Sequence, residues 1–155
     1  MVDYKYKEYN MIAKEIAKSD NIKFIASQIE LYRIKNSKLK AIAFCTSISH
    51  AKTMAEALYE YGYATTTLIG SNDTGERIRA FNNLQNDNES LEIICAVDIL
   101  NEGVDIPQLN MVLFLRPTES STVFLQQLGR GLRKYEGKEY VTILDFIGNN
   151  YDRSV

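Results

Sequence analysis

The sequence predicts a three-layer α/β domain, a mainly parallel central sheet with helices on both faces. Three observations predict it. Five short apolar runs recur along the chain, most of them nearly continuous in hydrophobicity rather than alternating, as parallel strands covered on both faces require. Helical patterns separate the runs, so that strand and helix alternate. The length, 155 residues with 45% hydrophobic and 25% charged side chains, suits one compact domain around one core.

Taken in order, residues 1–36 are expected to supply N-terminal helices that pack on that core. Met11, Ile12 and Ile16 suggest a first helix, and Ile22, Ile25, Ile29 and Tyr32 repeat at helical spacing. "AIAFC" (41–45) is the first predicted strand. Ala51, Met54, Ala55, Leu58 and Tyr61 then form a helical stripe that ends at Gly62, a residue suited to the turn that closes a helix. "TTTLI" (65–69) is the second strand, and Asp73 and Thr74 are cap candidates for a helix whose stripe is Ile78, Phe81 and Leu84. "LEIIC" (91–95), "NMVLFL" (110–115) and "YVTILDF" (140–146) complete the strands. The whole of 1–155 reads as a single domain without repeats or linkers.

Charge and cysteines narrow the function classes. Eighteen Lys and Arg against twenty Asp and Glu give a formal charge of −2, so no global basic footprint marks the chain, and any nucleic-acid contact is local. Cys45 and Cys95 each end an apolar run, where reduced core thiols are expected and a metal site would need further ligands. No apolar stretch approaches the roughly 20 residues that span a bilayer, and "MVDYKYKEYN" lacks the apolar segment of a secretion signal, so a cytoplasmic protein without membrane contact is expected.

In parallel α/β sheets ligands sit beyond the carboxyl ends of the strands, which is where the candidate site residues cluster. After the first strand, Thr46, Ser47 and Ser49 place hydroxyls where a helix begins. They can cap that helix, or, with its free N–H groups, hold a phosphate of a nucleic-acid strand. His50, the only histidine, has no second ligand or nucleophile near it in sequence and is assigned no chemistry. After the third strand, "AVDILNEGVDIP" carries Asp98, Glu102 and Asp105 around Gly103, with Pro107 stopping any helix. Two carboxylates at a strand end suit a metal or, in the absence of a third close ligand, hydrogen bonds to a ribose, a base or an arginine; no metal site is assigned.

In "FLQQLGRGLRKYEG" a helical pitch puts Gln126, Arg130 and Arg133 within about 60° of one another, while Leu125, Leu128 and Leu132 fall on a separate stripe. Gly129 and Gly131 each cost about 1 kcal/mol relative to Ala in a helix interior, a penalty explained by close approach of another backbone or a ligand. Paired arginines suit bidentate binding of a phosphoryl group. The chain nevertheless holds no G-x-x-x-x-G-K-[ST] loop to bind the other phosphates, so the arginines read as half a site.

"AIAFCTSISHA", "AVDILNEGVDIP" and "FLQQLGRGLR" resemble, in order, motifs IV, V and VI of the second RecA-like lobe of superfamily 2 helicases and translocases of the DEAD/DEAH type. The likeness covers roughly residues 20 to 150. Val97 stands before Asp98 where many relatives have Thr, and Gln127 follows Gln126 where many have Arg. The second form fits the restriction-type branch of bacterial defence and repair enzymes and favours DNA over RNA.

The resemblance implies that Arg130 and Arg133 reach the γ-phosphate of ATP across a lobe interface, with Gln126 beside them. It places Gly103 and Asp105 near the nucleotide, and Thr46, Ser47 and Asp98 at the nucleic-acid strand. It further implies that the chain is part of a larger protein whose N-terminal RecA-like lobe supplies the phosphate loop and the Mg²⁺ ligands, so that this piece alone is inactive. Two other readings stay open: a non-catalytic RecA-like module that binds nucleic acid or a protein, and a different α/β enzyme using Asp98 and Asp105, such as a glycosyltransferase.

Overall fold

A computed structural model of the chain describes residues 6–10, 22–70, 72–97, 106–116 and 141–146. They form strand β1 (Tyr6–Asn10), helix α1 (Ile22–Tyr32), strand β2 (Ala41–Phe44), helix α2 (Ile48–Glu60), strand β3 (Thr65–Ile69), helix α3 (Thr74–Gln85), and strands β4 (Ile93–Val97), β5 (Met111–Phe114) and β6 (Val141–Asp145). The six strands make one sheet in the order β1-β6-β5-β2-β4-β3, and every neighbouring pair is parallel.

The five predicted strands are all present. The third begins two residues later than expected, at Ile93, because the ladder pairs Ala41 with Ile93. The strand Tyr6–Asn10 is an addition to the helices expected over 1–36. Its sequence, YKEYN, is not an apolar run, and as an edge strand it is held through its backbone, Tyr6 opposite Val141 and Asn10 opposite Asp145. The helix suggested by Met11, Ile12 and Ile16 lies outside the described residues.

Burial on both faces explains the continuous apolar runs. On one face Ala41, Ala43, Cys45, Ile93, Cys95, Met111 and Leu113 pack under α1 (Ile25, Ile29) and α2 (Ala51, Met54, Leu58). On the other, Ile42, Phe44, Ile94, Val112, Phe114 and Ile143 pack with Leu84 of α3. Successive residues of one strand therefore enter opposite cores, and both must be apolar. Phe44 and Phe114, partners in the ladder, stack with ring centroids 5.6 Å apart. The edge strand β3 buries only Leu68 fully, which suits its run of three threonines.

The helix ends follow local chemistry. Gly62, at φ 103°, adopts the left-handed turn after α2 that other residues resist. Asp73 caps α3 in a full capping box: its carboxylate accepts from Glu76 N–H, and Glu76 Oε1 accepts from Asp73 N–H. The expected stripe of α3 is only partly used, for Leu84 is buried while Ile78 is 54% exposed.

A polar network closes the amino-terminal edge of the sheet. Lys38 Nζ donates to the carbonyls of Asn83, Asn86 and Glu89, and Lys40 Nζ to Gln85 O and Gln108 Oε1. Buried Asn110 accepts from Lys40 N–H and donates to Lys38 O. This edge is spent on structure.

Candidate nucleic-acid interface at the carboxyl edge of the sheet

Because all strands run the same way, Phe44, Ile69, Val97, Phe114 and Asp145 end at one edge, with Phe44 level with Ala96 and Phe114 across the centre. The end of β2 is held from both sides: Cys45 N–H donates to Ala96 O, and Leu115 N–H donates to Phe44 O, both at 2.9 Å. The segment that begins at Thr46 therefore leaves from a fixed point at the middle of the sheet. Val97, the last residue of β4, packs into the core under α2. A valine there serves packing, and the acid-bearing segment follows it directly in sequence.

Ser47 is the N-cap of α2, in an extended conformation, and its Oγ accepts from His50 N–H at 3.0 Å. The capping reading of this serine is correct. It leaves the hydroxyl hydrogen free to serve a second partner, since a hydroxyl accepts and donates at once. Thr46, Ser47, Ile48 and Ser49 are exposed. At the first turn the N–H groups of Ile48 and Ser49 have no partner within the helix, and α2 carries no acid there, whereas α3 fills its own first turn with Glu76. The start of α2 thus offers hydroxyl and amide donors to an anion from the helix's positive end.

His50 is the residue whose part sequence reasoning missed. Its ring Nδ1 accepts from Thr46 N–H at 3.0 Å and lies 3.0 Å from Thr46 Oγ1. A backbone N–H can only donate, so Nδ1 is unprotonated and the neutral ring carries its proton on Nε2. The signal available in the sequence was the i to i+4 spacing of Thr46 and His50 across a helix start.

Of the predicted site residues, the structure brings Thr46 and Ser47 together on one exposed turn. Asp98, Gly103, Asp105, Gln126, Arg130 and Arg133 lie outside the described residues. Among the described residues, no group of three or more His, Cys, Asp and Glu could hold a metal ion, and no helix is long and apolar enough to cross a membrane. Asp145, fully buried at the end of β6, and Arg116, just beyond β5, are further charged groups at this edge. Cys45 and Cys95 are buried free thiols, and their mutual hydrogen bond, then burial, pushes the Cys95 thiol well up.

Residues 21–135 match the model of the helicase conserved C-terminal domain. The chain is 28% identical over 119 residues to a putative ATP-dependent helicase, IRC3, of Saccharomyces cerevisiae, covering 76% of this chain and 17% of that protein. It is 29% identical over 114 residues to UvrABC system protein B of Thermosipho africanus, covering 70% of this chain and 17% of that protein. The chain therefore spans about a sixth of these relatives. The fold resembles that of the E. coli DEAD-box protein SrmB, solved bound to regulator of ribonuclease activity A, with a TM-score of 0.61 at 19% identity, covering 92% of this chain and 78% of that one. With a family match over most of its length and a parallel sheet of the same architecture, the chain belongs to the helicase conserved C-terminal domain family.

Proposed function

We propose that this chain is the C-terminal motor lobe of an ATP-dependent DNA helicase or translocase, of the restriction-type branch. The observation that carries the proposal is the placement of the Thr46–Ser47 turn, exposed and donor-rich, at the carboxyl end of the central strand in a chain of this family. Hydroxyl and amide donors at a helix start contact phosphate oxygens without reading bases, as a motor that tracks a strand requires.

In this reading Asp98 joins Thr46 and Ser47 at the strand, Gly103 and Asp105 lie near the nucleotide, and Gln126, Arg130 and Arg133 face the γ-phosphate from across the lobe interface. Two arginines there stabilise charge that develops on the transferred phosphoryl group and couple hydrolysis to lobe closure. Mg²⁺ and most of the ATP contacts belong to an N-terminal RecA-like lobe, and the 155-residue chain alone neither binds ATP tightly nor hydrolyses it.

The test is ATP turnover by the intact protein, with and without DNA or RNA, comparing the native chain with Arg130→Ala. A strand-stimulated rate that falls by about 10³-fold or more in the variant is expected for a trans-acting arginine. Unchanged turnover would remove Arg130 from catalysis. Absence of turnover in the native protein would favour the second reading, a non-catalytic binding module, which the formal charge of −2 and the missing phosphate loop support.

A further inference from the structure

His50 touches both residues of the proposed strand contact. Its backbone N–H is held by Ser47 Oγ and its ring Nδ1 holds Thr46 N–H, so two hydrogen bonds of 3.0 Å tie residues 46 and 47 to one residue, the first through its side chain and the second through its main chain. The Thr46 hydroxyl lies at the same ring nitrogen, 3.0 Å away. Nδ1 has a single lone pair, and the backbone N–H, which cannot turn elsewhere, claims it. The hydroxyl hydrogen can rotate away to another acceptor while the ring stays satisfied. A phosphate oxygen arriving at this turn would take that hydrogen without breaking the contact that orders the loop.

We infer that His50 is the positioning residue of this turn: its neutral imidazole, accepting at Nδ1, fixes Thr46 so that the hydroxyls of Thr46 and Ser47 face an incoming nucleic-acid backbone together. The inference rests on the proposed strand contact of Thr46 and Ser47. Its energetic content is pre-organisation, for an exposed turn that is already ordered loses less freedom when it binds.

The chemistry of the acceptor supplies the test. Asn places Oδ1 at the same number of bonds from the backbone as Nδ1, whereas Gln places its oxygen one atom farther out, and Ala has no acceptor. In the intact protein, the concentration of a single-stranded oligodeoxynucleotide that half-stimulates ATP turnover is expected to rise about 3- to 10-fold in His50→Ala and His50→Gln. His50→Asn stays within about twofold of wild type, and turnover at saturating strand changes less than the half-stimulating concentration in every variant. All three keep the backbone N–H that Ser47 caps, so loss of α2 does not confound them. Equal losses in His50→Asn and His50→Ala, or no loss in His50→Ala, would overturn the inference. Thr46→Val separates the two levels. If it weakens the strand response and the His50 series does not, His50 alone is wrongly placed. If Thr46→Val has no effect, the strand contact itself fails and the inference falls with it.

Discussion

Tyr63 joins the exit of α2 to α1. Its side chain is buried, and its hydroxyl donates to Glu30 Oε2 at 2.5 Å. Burial and then this bond raise the phenol's pKa, while the same bond, against a smaller effect of burial, holds the Glu30 carboxyl below its ordinary value of 4.5. A carboxylate whose pKa is depressed by folding contributes stability that is fully present above its unfolded pKa and is lost as pH falls through the folded one. Tyr63→Phe removes the largest cause of the depression. In urea unfolding the variant is expected to be less stable than wild type at pH 7, with the gap closing as pH falls below about 4. A gap that stays constant with pH would show that the tyrosine acts through packing alone. At this scale the sequence showed that Ser47 and Thr46 could cap or bind, but it could not show that His50 reaches back to Thr46. A side chain's direction depends on the helix start that Ser47 creates.

The elements were legible to the extent that their signals are local. Asp73 and Glu76 specify the start of α3 within four residues, and Gly62 specifies the end of α2 by its own backbone freedom. The other end of α3 depends on residues from elsewhere. Lys38 and Lys40, which precede β2, bring ammonium groups to the last carbonyls of that helix, where the helix dipole favours positive charge. Burial, with the neighbouring Lys40 ammonium, lowers the Lys38 pKa, against the opposing pull of the Asp87, Glu92 and Glu89 carboxylates. Lys40→Met is expected to cost about 1–3 kcal/mol, because it leaves Gln85 O and Gln108 Oε1 without their donor in a part-buried site. Lys40 also pairs with Asp87 at 2.7 Å, but that carboxylate is 75% exposed. Asp87→Asn should therefore leave the unfolding midpoint almost unchanged, since solvent screens the pair. Denaturant midpoints of the two variants check the contrast, and equal losses would assign the stability to the ion pair.

At the scale of the whole molecule, a chain of formal charge −2 carries neutral donors at the carboxyl edge of its sheet, where the strand contact is proposed. Salt dependence of binding counts phosphates neutralised by cations, and hydroxyls neutralise none. Thr46→Val is therefore expected to weaken strand binding by the intact protein at every salt concentration while changing the slope of log affinity against log salt by less than about 0.3. Loss of one phosphate-contacting cation would change it by about 0.7. A slope change of the larger size would mean that Thr46 positions a cation.

The sequence by itself determined the five apolar strands, the two helices that separate the first three of them, the caps of those helices, the burial of both faces and the order of three motifs, because each follows from residues adjacent in the chain. Only the tertiary structure decided that β2 lies between β4 and β5, that Tyr6–Asn10 extends the sheet beside β6, and that the turn at Thr46 opens from the middle of the carboxyl edge. Strand neighbours are joined by backbone hydrogen bonds that nearly every residue can make, so the side-chain pattern records that a segment is a strand and leaves its neighbours to the packing of the whole.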